Sequence, residues 1–306
     1  MRKNLRVGMI GAGGISQGQH LPGWAKVKEA KVTAVCDVNR ERAEEAAKKF
    51  GIPAVYTDFH EMLAKEDLDA VGVTTPNKLH TPAVLASLAA GCYVICEKPL
   101  ATTVQEVDQV IAASKKAKRW VMTAQNQRWS GMARALKKFL DKDGMGSAYH
   151  ARVHALRRNL LPSWGVFTDF KMSGGGPCMD IGVHALDCCL WQMGNPEPES
   201  VMGQFGVFHA HDHQIPGAWG EWDRKKYTVE DFAAGFVRFK NGATLVLESS
   251  WLSHMKPSEE LNFFIFGTKA SVAWPSGEVF SAENRVMTDR TLKSLGEEPS
   301  HHLEIA

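Results

Sequence analysis

No stretch of the 306-residue chain is apolar for the roughly 20 residues that a membrane-spanning helix needs, so no membrane partner is expected. Charge of one sign is not in excess either. Lys and Arg number 36 against 34 Asp and Glu, a net charge of +2. A nucleic-acid binder normally shows a basic stripe. The short run Lys115, Lys116, Lys118 and Arg119 reads instead as a solvated helix end, so no nucleic-acid partner is expected. The cysteines Cys36, Cys92, Cys96, Cys178, Cys188 and Cys189 form no C-x-x-C pair, and a disulfide framework would be unusual in so long a chain. Free thiols in a reducing cytoplasm are the expectation. The start, Met1-Arg2-Lys3-Asn4, leads straight into a strand pattern and lacks the apolar core of a signal peptide. Internal repeats and low-complexity segments are missing as well.

What the chain does have is two grammars. Short apolar runs at 5–10, 31–36, 70–74, 92–96 and 120–123 alternate with helical stretches at 20–28, 40–50, 81–90 and 104–117. Strands alternating with helices of this length indicate βαβ units and a doubly wound parallel sheet. Beyond Gly146 the segments 148–158, 200–209, 228–240, 243–251 and 260–266 alternate at period two, and Asn241-Gly242 is a hairpin signal. One clear helix, 179–193, interrupts them, and a helical stretch at 132–141 belongs near the join. The expected fold is therefore α/β. Residues 1–125 form an N-terminal Rossmann domain, and 126–306 form an α+β domain with a large, mostly antiparallel sheet.

Gly11-Ala12-Gly13-Gly14-Ile15-Ser16 follows the first strand and opens a helix. In a dinucleotide-binding turn the first glycine permits the bend and the second lets backbone approach the pyrophosphate. The third small residue, here Ser16, lets helix and strand pack closely. The N–H groups at Gly14 and Ile15 then face the phosphates. Asp37 ends the second strand, where a carboxylate accepts hydrogen bonds from the adenosine ribose. A bare glycine turn with a capping Asp is the competing reading. A carboxylate repels a 2′-phosphate, so NAD is the expected cofactor; Arg40 and Arg42 keep NADP open as the alternative.

Glu97-Lys98-Pro99 ends the fourth strand, at the carboxyl edge where ligands bind in doubly wound folds. A lysine there can stabilise charge on a substrate oxygen; an exposed lysine before a loop proline is the plainer reading. In Gly174-Gly175-Gly176-Pro177-Cys178-Met179-Asp180-Ile181-Gly182-Val183-His184, the last acid and the histidine stand four residues apart and share a helix face. A histidine oriented by a carboxylate is a proton shuttle near neutral pH, and Asp187 can brace it further. The glycines ahead of the helix allow close approach of a cofactor or substrate. A capping Asp with a core histidine is the alternative. Arg157 and Trp164 suit hydroxyl-rich substrates, through a forked donor and a stacking ring; Arg128 and Trp129 are weaker candidates. His209, His211 and His213 alternate with Ala210 and Asp212 on a loop that lacks a completing Cys or Glu, so no metal is expected.

Taken together, Gly11-Ala12-Gly13, Asp37, Thr75-Pro76-Asn77 with His80, Glu97-Lys98-Pro99 and the glycine-rich segment through Asp180 and His184 resemble the Gfo/Idh/MocA oxidoreductase family. The resemblance spans residues 5 to about 266. It implies a Rossmann domain and an α/β domain whose open sheet makes oligomer contacts, in a homodimer or homotetramer. It implies Lys98 at the reacting centre with Asp180 and His184 as its partners, and Thr75, Pro76, Asn77, His80 and Glu97 along the cofactor. Relatives run on into a closing helix beyond the counterpart of Glu304-Ile305. The implied activity is hydride transfer between nicotinamide and a hydroxyl or keto carbon of a small polyhydroxylated substrate, with Lys98 and His184 both open as the base. Two other readings stand beside it: a glycosidase-type enzyme with tightly bound NAD, and a non-catalytic NAD(P)-binding regulator.

Overall fold

In the computed structural model, residues 4–293 are described; His301-His302 lies outside them. The chain divides between Ala124 and Gln125 into two units. The first contains β1 (Leu5–Ile10), β2 (Ala30–Cys36), β3 (Ala54–Tyr56), β4 (Ala70–Val73), β5 (Tyr93–Cys96) and β6 (Val121–Thr123). All its pairings are parallel, in the order β3-β2-β1-β4-β5-β6. Successive side chains of a strand point to opposite faces. Met9 and Val35 accordingly pack against Leu21, Trp24 and Ala46, while Ile10 and Cys36 pack against Met62, Val84 and Val110. Helices thus cover both faces, which is why these strands read as unbroken apolar runs. The helices start where side chains cap them: Asn39 accepts from the Arg42 N–H and Thr103 from the Glu106 N–H.

Strand order reverses between β1 and β4, so the crevice beyond their carboxyl ends is where a doubly wound sheet binds ligands. The turn after β1, the Thr75 loop after β4 and the Glu97-Lys98-Pro99 loop after β5 all lie at that edge.

The second unit carries β7 (Ala148–Arg157), β8 (Pro198–Gly206), β9 (Phe232–Phe239), β10 (Thr244–Ser250), β11 (Glu259–Gly267), β12 (Ala270–Trp274), β13 (Glu278–Glu283) and β14 (Val286–Thr291). They form one sheet in the order β14-β13-β12-β11-β7-β10-β9-β8, antiparallel except where β10 pairs with β7. Helices Gly131–Leu140 and Val183–Gln192 cover one face through Leu136, Ala185, Cys188, Val153, Leu245 and Phe263. The last three strands had no expectation from sequence. Among the described residues no helix is long and apolar enough to cross a membrane.

Candidate functional site

Gly11 has φ +100°, and a Cβ there would stand 2.7 Å from the Thr74 main chain. Only glycine fits, and Thr74 Oγ1 closes the turn by donating to the Gly11 carbonyl. Gly13 and Gly14 differ. A Cβ on either would meet no protein atom within 4 Å. Neither the fold's packing nor a left-handed backbone asks for glycine there, so the clear space suits a group that approaches from outside, as a pyrophosphate does. Asp37 lies beside this turn, nearly buried. Its Oδ2 accepts from the Ala12 N–H (2.9 Å) and its Oδ1 from the Asn39 N–H (2.9 Å). Two carboxylate oxygens offer about four lone-pair sites, so capacity remains for a ribose hydroxyl. The residues fit a dinucleotide. Arg42 Nη1 stands 3.6 Å from Asp37, whereas Arg40 bonds Glu44 one turn along its own exposed helix face. The basic neighbour of the carboxylate is therefore Arg42; the i,i+4 pair turns Arg40 away.

Behind the turn, Gly14 and Ile15 open a helix that widens into a π-turn, Ser16–His20, before Leu21–Trp24. Pro22 gives the reason. Its ring would clash with the carbonyl four residues back in a regular α-helix, and a wider turn relieves this. The same turn delivers His20 Nε2 to within 2.8 Å of Glu97 Oε1. Glu97 Oε2 accepts from the Lys98 N–H at 3.0 Å. Burial raises the Glu97 pKa, but His20 and Lys98 outweigh it and hold the carboxyl below its ordinary value. Glu97 thus braces the main chain of Lys98 as an anion. Ser16 Oγ and His20 Nδ1 are buried with no hydrogen-bond partner among the described residues.

His80 departs from the expectation that it lines the cofactor. The ring is fully buried, with Nδ1 2.7 Å from the Pro99 carbonyl and Nε2 2.8 Å from the Thr75 carbonyl. It stands between the loop after β4 and the loop after β5: the neutral ring donates to one of these carbonyls and packs against the other, and only the cation donates to both. Burial lowers its pKa, against the two carbonyls and Glu97, which favour the cation. Thr75 and Asn77 are partly buried and Pro76 is exposed at the same edge.

In the second unit, Asp180 falls within a π-turn, Cys178–Gly182, and His184 in the α-helical turn that continues it. Asp180 Oδ2 accepts from Trp251 Nε1 at 3.1 Å and has Arg157 Nη1 at 3.8 Å. Arg157 also donates to Glu259 (2.6 Å) and lies 4.9 Å over the Trp219 ring. Trp164 stands next to Trp219, their ring centroids 5.4 Å apart. The expected pair Arg157 and Trp164 thus belongs to one cluster with Asp180.

Three expectations are corrected, those on the glycines, Asp187 and Arg128. The glycines before the helix serve the protein's own packing: a Cβ on Gly176 would lie 2.0 Å from the Glu230 carbonyl, and Gly174 ends the short helix Phe170–Ser173 with φ +80°. Asp187 does not brace His184; Arg128 grips both its oxygens, locking the 126–129 turn to the helix. Arg128 is for the same reason structural. As for the histidine loop, the His209 ring tilts at 39° against His254 and His211 bonds the Arg224 carbonyl. No group of three metal-ligating side chains stands together among the described residues.

Sequence reading also missed Glu230 and Asp231. The Glu230 carboxylate accepts from the N–H groups of Gly176 and Cys178, capping the turn that carries Asp180. Asp231 is fully buried, accepts from the N–H groups of Phe208, His209 and Ala210, and offers its carbonyl to Trp251. One dipeptide therefore fixes Asp180 from both sides. Two adjacent acids between Val229 and Phe232 were the available signal, because carboxylates inside an apolar run need partners.

A glycine turn that leaves room for a pyrophosphate, an acid placed for ribose and a braced lysine at the switch-point edge define a nicotinamide-nucleotide-dependent oxidoreductase. Residues 5–125 match the family model described as "Oxidoreductase family, NAD-binding Rossmann fold", and 133–273 match "GFO/IDH/MocA C-terminal domain". The chain is 31% identical to D-glucoside 3-dehydrogenase of Escherichia coli K12, over 97% of this chain and 84% of that one. It is 28% identical to myo-inositol 2-dehydrogenase of Thermotoga maritima, over 98% and 81%. A solved structure of levoglucosan dehydrogenase with NADH and L-sorbose superposes with a TM-score of 0.83 at 25% identity, covering 98% of this chain and 82% of that one. The chain belongs to the Gfo/Idh/MocA oxidoreductase family; it is an enzyme with an NAD-binding Rossmann unit.

Proposed function

We propose that this enzyme oxidises or reduces one CH–OH carbon of a sugar, glycoside or cyclitol, with Lys98, Asp180 and His184 as its catalytic residues. The observation that carries the reading is the setting of Asp180. It is held by Trp251 and neighboured by the Arg157 guanidinium, which itself lies over Trp219 beside Trp164, groups that suit a ring bearing many hydroxyls. Bound NAD supplies the hydride acceptor at its nicotinamide. His184, beside Asp180 in sequence and on the same helix start, takes the hydroxyl proton. Lys98, its main chain fixed by Glu97, stabilises negative charge on the substrate oxygen. Proton transfer of this kind contributes roughly 10²–10⁴-fold. Thr75, Pro76 and Asn77 border the nucleotide, and Arg157 and Trp164 contact substrate.

The substrates after which the relatives are named, a glucoside, an inositol and levoglucosan, support this class. Residues 1–125 act as the nucleotide domain and 126–306 as the substrate and oligomer domain. A homodimer or homotetramer is supported by the outer strand β8, which exposes Val201, Met202 and Phe205; light scattering measures it. Six free cysteines support a reducing, cytoplasmic setting.

The test is absorbance at the reduced-nicotinamide band while purified protein meets sugars, glycosides and inositols, with NAD and NADP separately. A rise with one class, cut by roughly 10²-fold or more in Lys98→Ala, is the expected result. No rise with any of them, or near-normal turnover in Lys98→Ala, overturns the scheme.

A further inference from the structure

The loop between β8 and β9, residues 207–231, is not a loose connection. Trp222 is buried and donates its Nε1–H to the Ala210 carbonyl. Arg224 stacks on Trp222 and donates to the carbonyls of Asp212 and Ile215. Ala210, Trp222 and Tyr227 share a small core with Leu161, Ile181 and Trp251. The loop is also fastened to the segment after β7: the Ala218 N–H donates to Asn159, and Ser163 Oγ donates to the Trp219 carbonyl.

On this well-held surface two indoles are nevertheless left open. Trp164 is 55% exposed and Trp219 40%. Their rings tilt at 53° to one another, and Phe167 meets Trp164 edge-on. Ordered aromatics left in water mark a ligand surface more often than isolated apolar side chains do. Ser163 and Gly165, the chain neighbours of Trp164, line a cavity of about 730 Å³ together with Val166, Phe170, Asp223 and Lys226; the two open indoles stand outside its wall. Small-molecule sites span roughly 300–1,000 Å³. Arg157 links this surface to the chemistry, since its guanidinium covers Trp219 and also neighbours Asp180.

Resting on the function proposed above, we infer that Trp164 and Trp219 form a second subsite, which holds the aglycone ring of a glycoside whose sugar ring reacts at Asp180. The ligand chemistry required is a ring with an apolar face and a polar rim. The face lies on the indoles, and the rim meets Lys226, Asp223 and Ser163. Such a ring comes from a second sugar or from an aryl group. Trp219 is then a specificity residue, and the enzyme prefers glycosides with cyclic aglycones to free sugars.

The experiment compares methyl, phenyl and glucosyl glucosides. For each, kcat/KM is measured with NAD in wild type, Trp219→Ala, Trp219→Tyr and Trp164→Ala. Quenching of tryptophan fluorescence by phenyl glucoside is titrated in parallel. Wild type should favour a cyclic aglycone over methyl by about two- to tenfold, the value of one good ring contact. That ratio should fall towards one in Trp219→Ala and Trp164→Ala and recover in Trp219→Tyr. Reading the ratio within each variant cancels a general loss of activity. The phenyl and glucosyl arms tell an aryl ring from a sugar ring. A wild-type ratio of one, or a ratio untouched by Trp219→Ala, overturns the subsite while turnover of methyl glucoside leaves the dehydrogenase reading standing. If no glucoside turns over, the dehydrogenase reading is decided by the sugar and inositol panel above; the subsite then stands or falls on whether phenyl glucoside quenches wild type and not the two alanine variants.

Discussion

Both units place glycines where chain enters a helix, and the two sets do opposite things. Gly13 and Gly14 face open space, whereas Gly176 is filled to contact by Glu230. In the first unit a missing side chain leaves room for something the protein lacks. In the second it leaves room for the protein itself. A glycine-rich segment next to acid and histidine residues is thus not evidence of ligand contact until its surroundings are known.

Substitution separates the two cases. Gly176→Ala should produce the largest effect: a Cβ 2.0 Å from a main-chain oxygen forces Glu230 to move and breaks the cap on the Asp180 turn. The expected loss is about 3 kcal/mol, or about 6–12 °C in Tm by calorimetry. Gly13→Ala should leave Tm within about 0.5 kcal/mol of wild type yet weaken NAD binding about tenfold or more, read by titration calorimetry. Equal effects of the two changes on Tm would erase the distinction.

Next in size is Asp37→Ala. Losing charge-assisted acceptance from ribose, and leaving Arg42 without its carboxylate, should move the NAD-to-NADP ratio of kcat/KM towards NADP by about 10- to 100-fold. An unchanged ratio would remove Asp37 from nucleotide selection.

The smallest effect concerns His80. Its folded pKa lies below the ordinary 6.5, so the unfolded chain binds the proton more readily. Stability contributed by the neutral ring is full above 6.5 and is lost as pH falls from 6.5 towards the folded value. Glu97, also lowered, loses its contribution only further down, below 4.5. Melting between about pH 7.5 and about pH 5.5 should show a shallower acid decline in His80→Asn than in wild type. Parallel declines would count against the buried neutral ring.

The first unit was largely legible because its determinants are local. Runs buried on both faces stand out as apolar, and Gly11, Asp37 and Lys98 each sit at the end of such a run. The strand Ala54–Tyr56 and the helix Phe59–Lys65 escaped because three residues and two turns are too short to show a period. The helix expected at 20–28 lies earlier, opening at Gly14, widening through Ser16–His20 and ending at Trp24, because the glycine turn itself starts it. In the second unit the long strands were visible, but β13 and β14 are short and mostly exposed, so they offered little apolar contrast. The partners of Asp180 come from positions 157 and 251, far away in sequence, and no spacing rule connects them. His80 and Asp187 were misread for a related cause: a buried polar side chain near a site can serve the main chain or an arginine as readily as a ligand.

The loop 207–231 packs on a small core that it shares with Leu161, Ile181 and Trp251, and it is pinned at its base by Asp231. It behaves as a cassette. Residues at its tip can be exchanged without disturbing the sheet, provided Asp231 and the buried Trp222 remain. On the subsite proposed above, divergence in the aglycone accepted can proceed through this one segment, while the turn that carries Asp180 keeps its cap at Glu230.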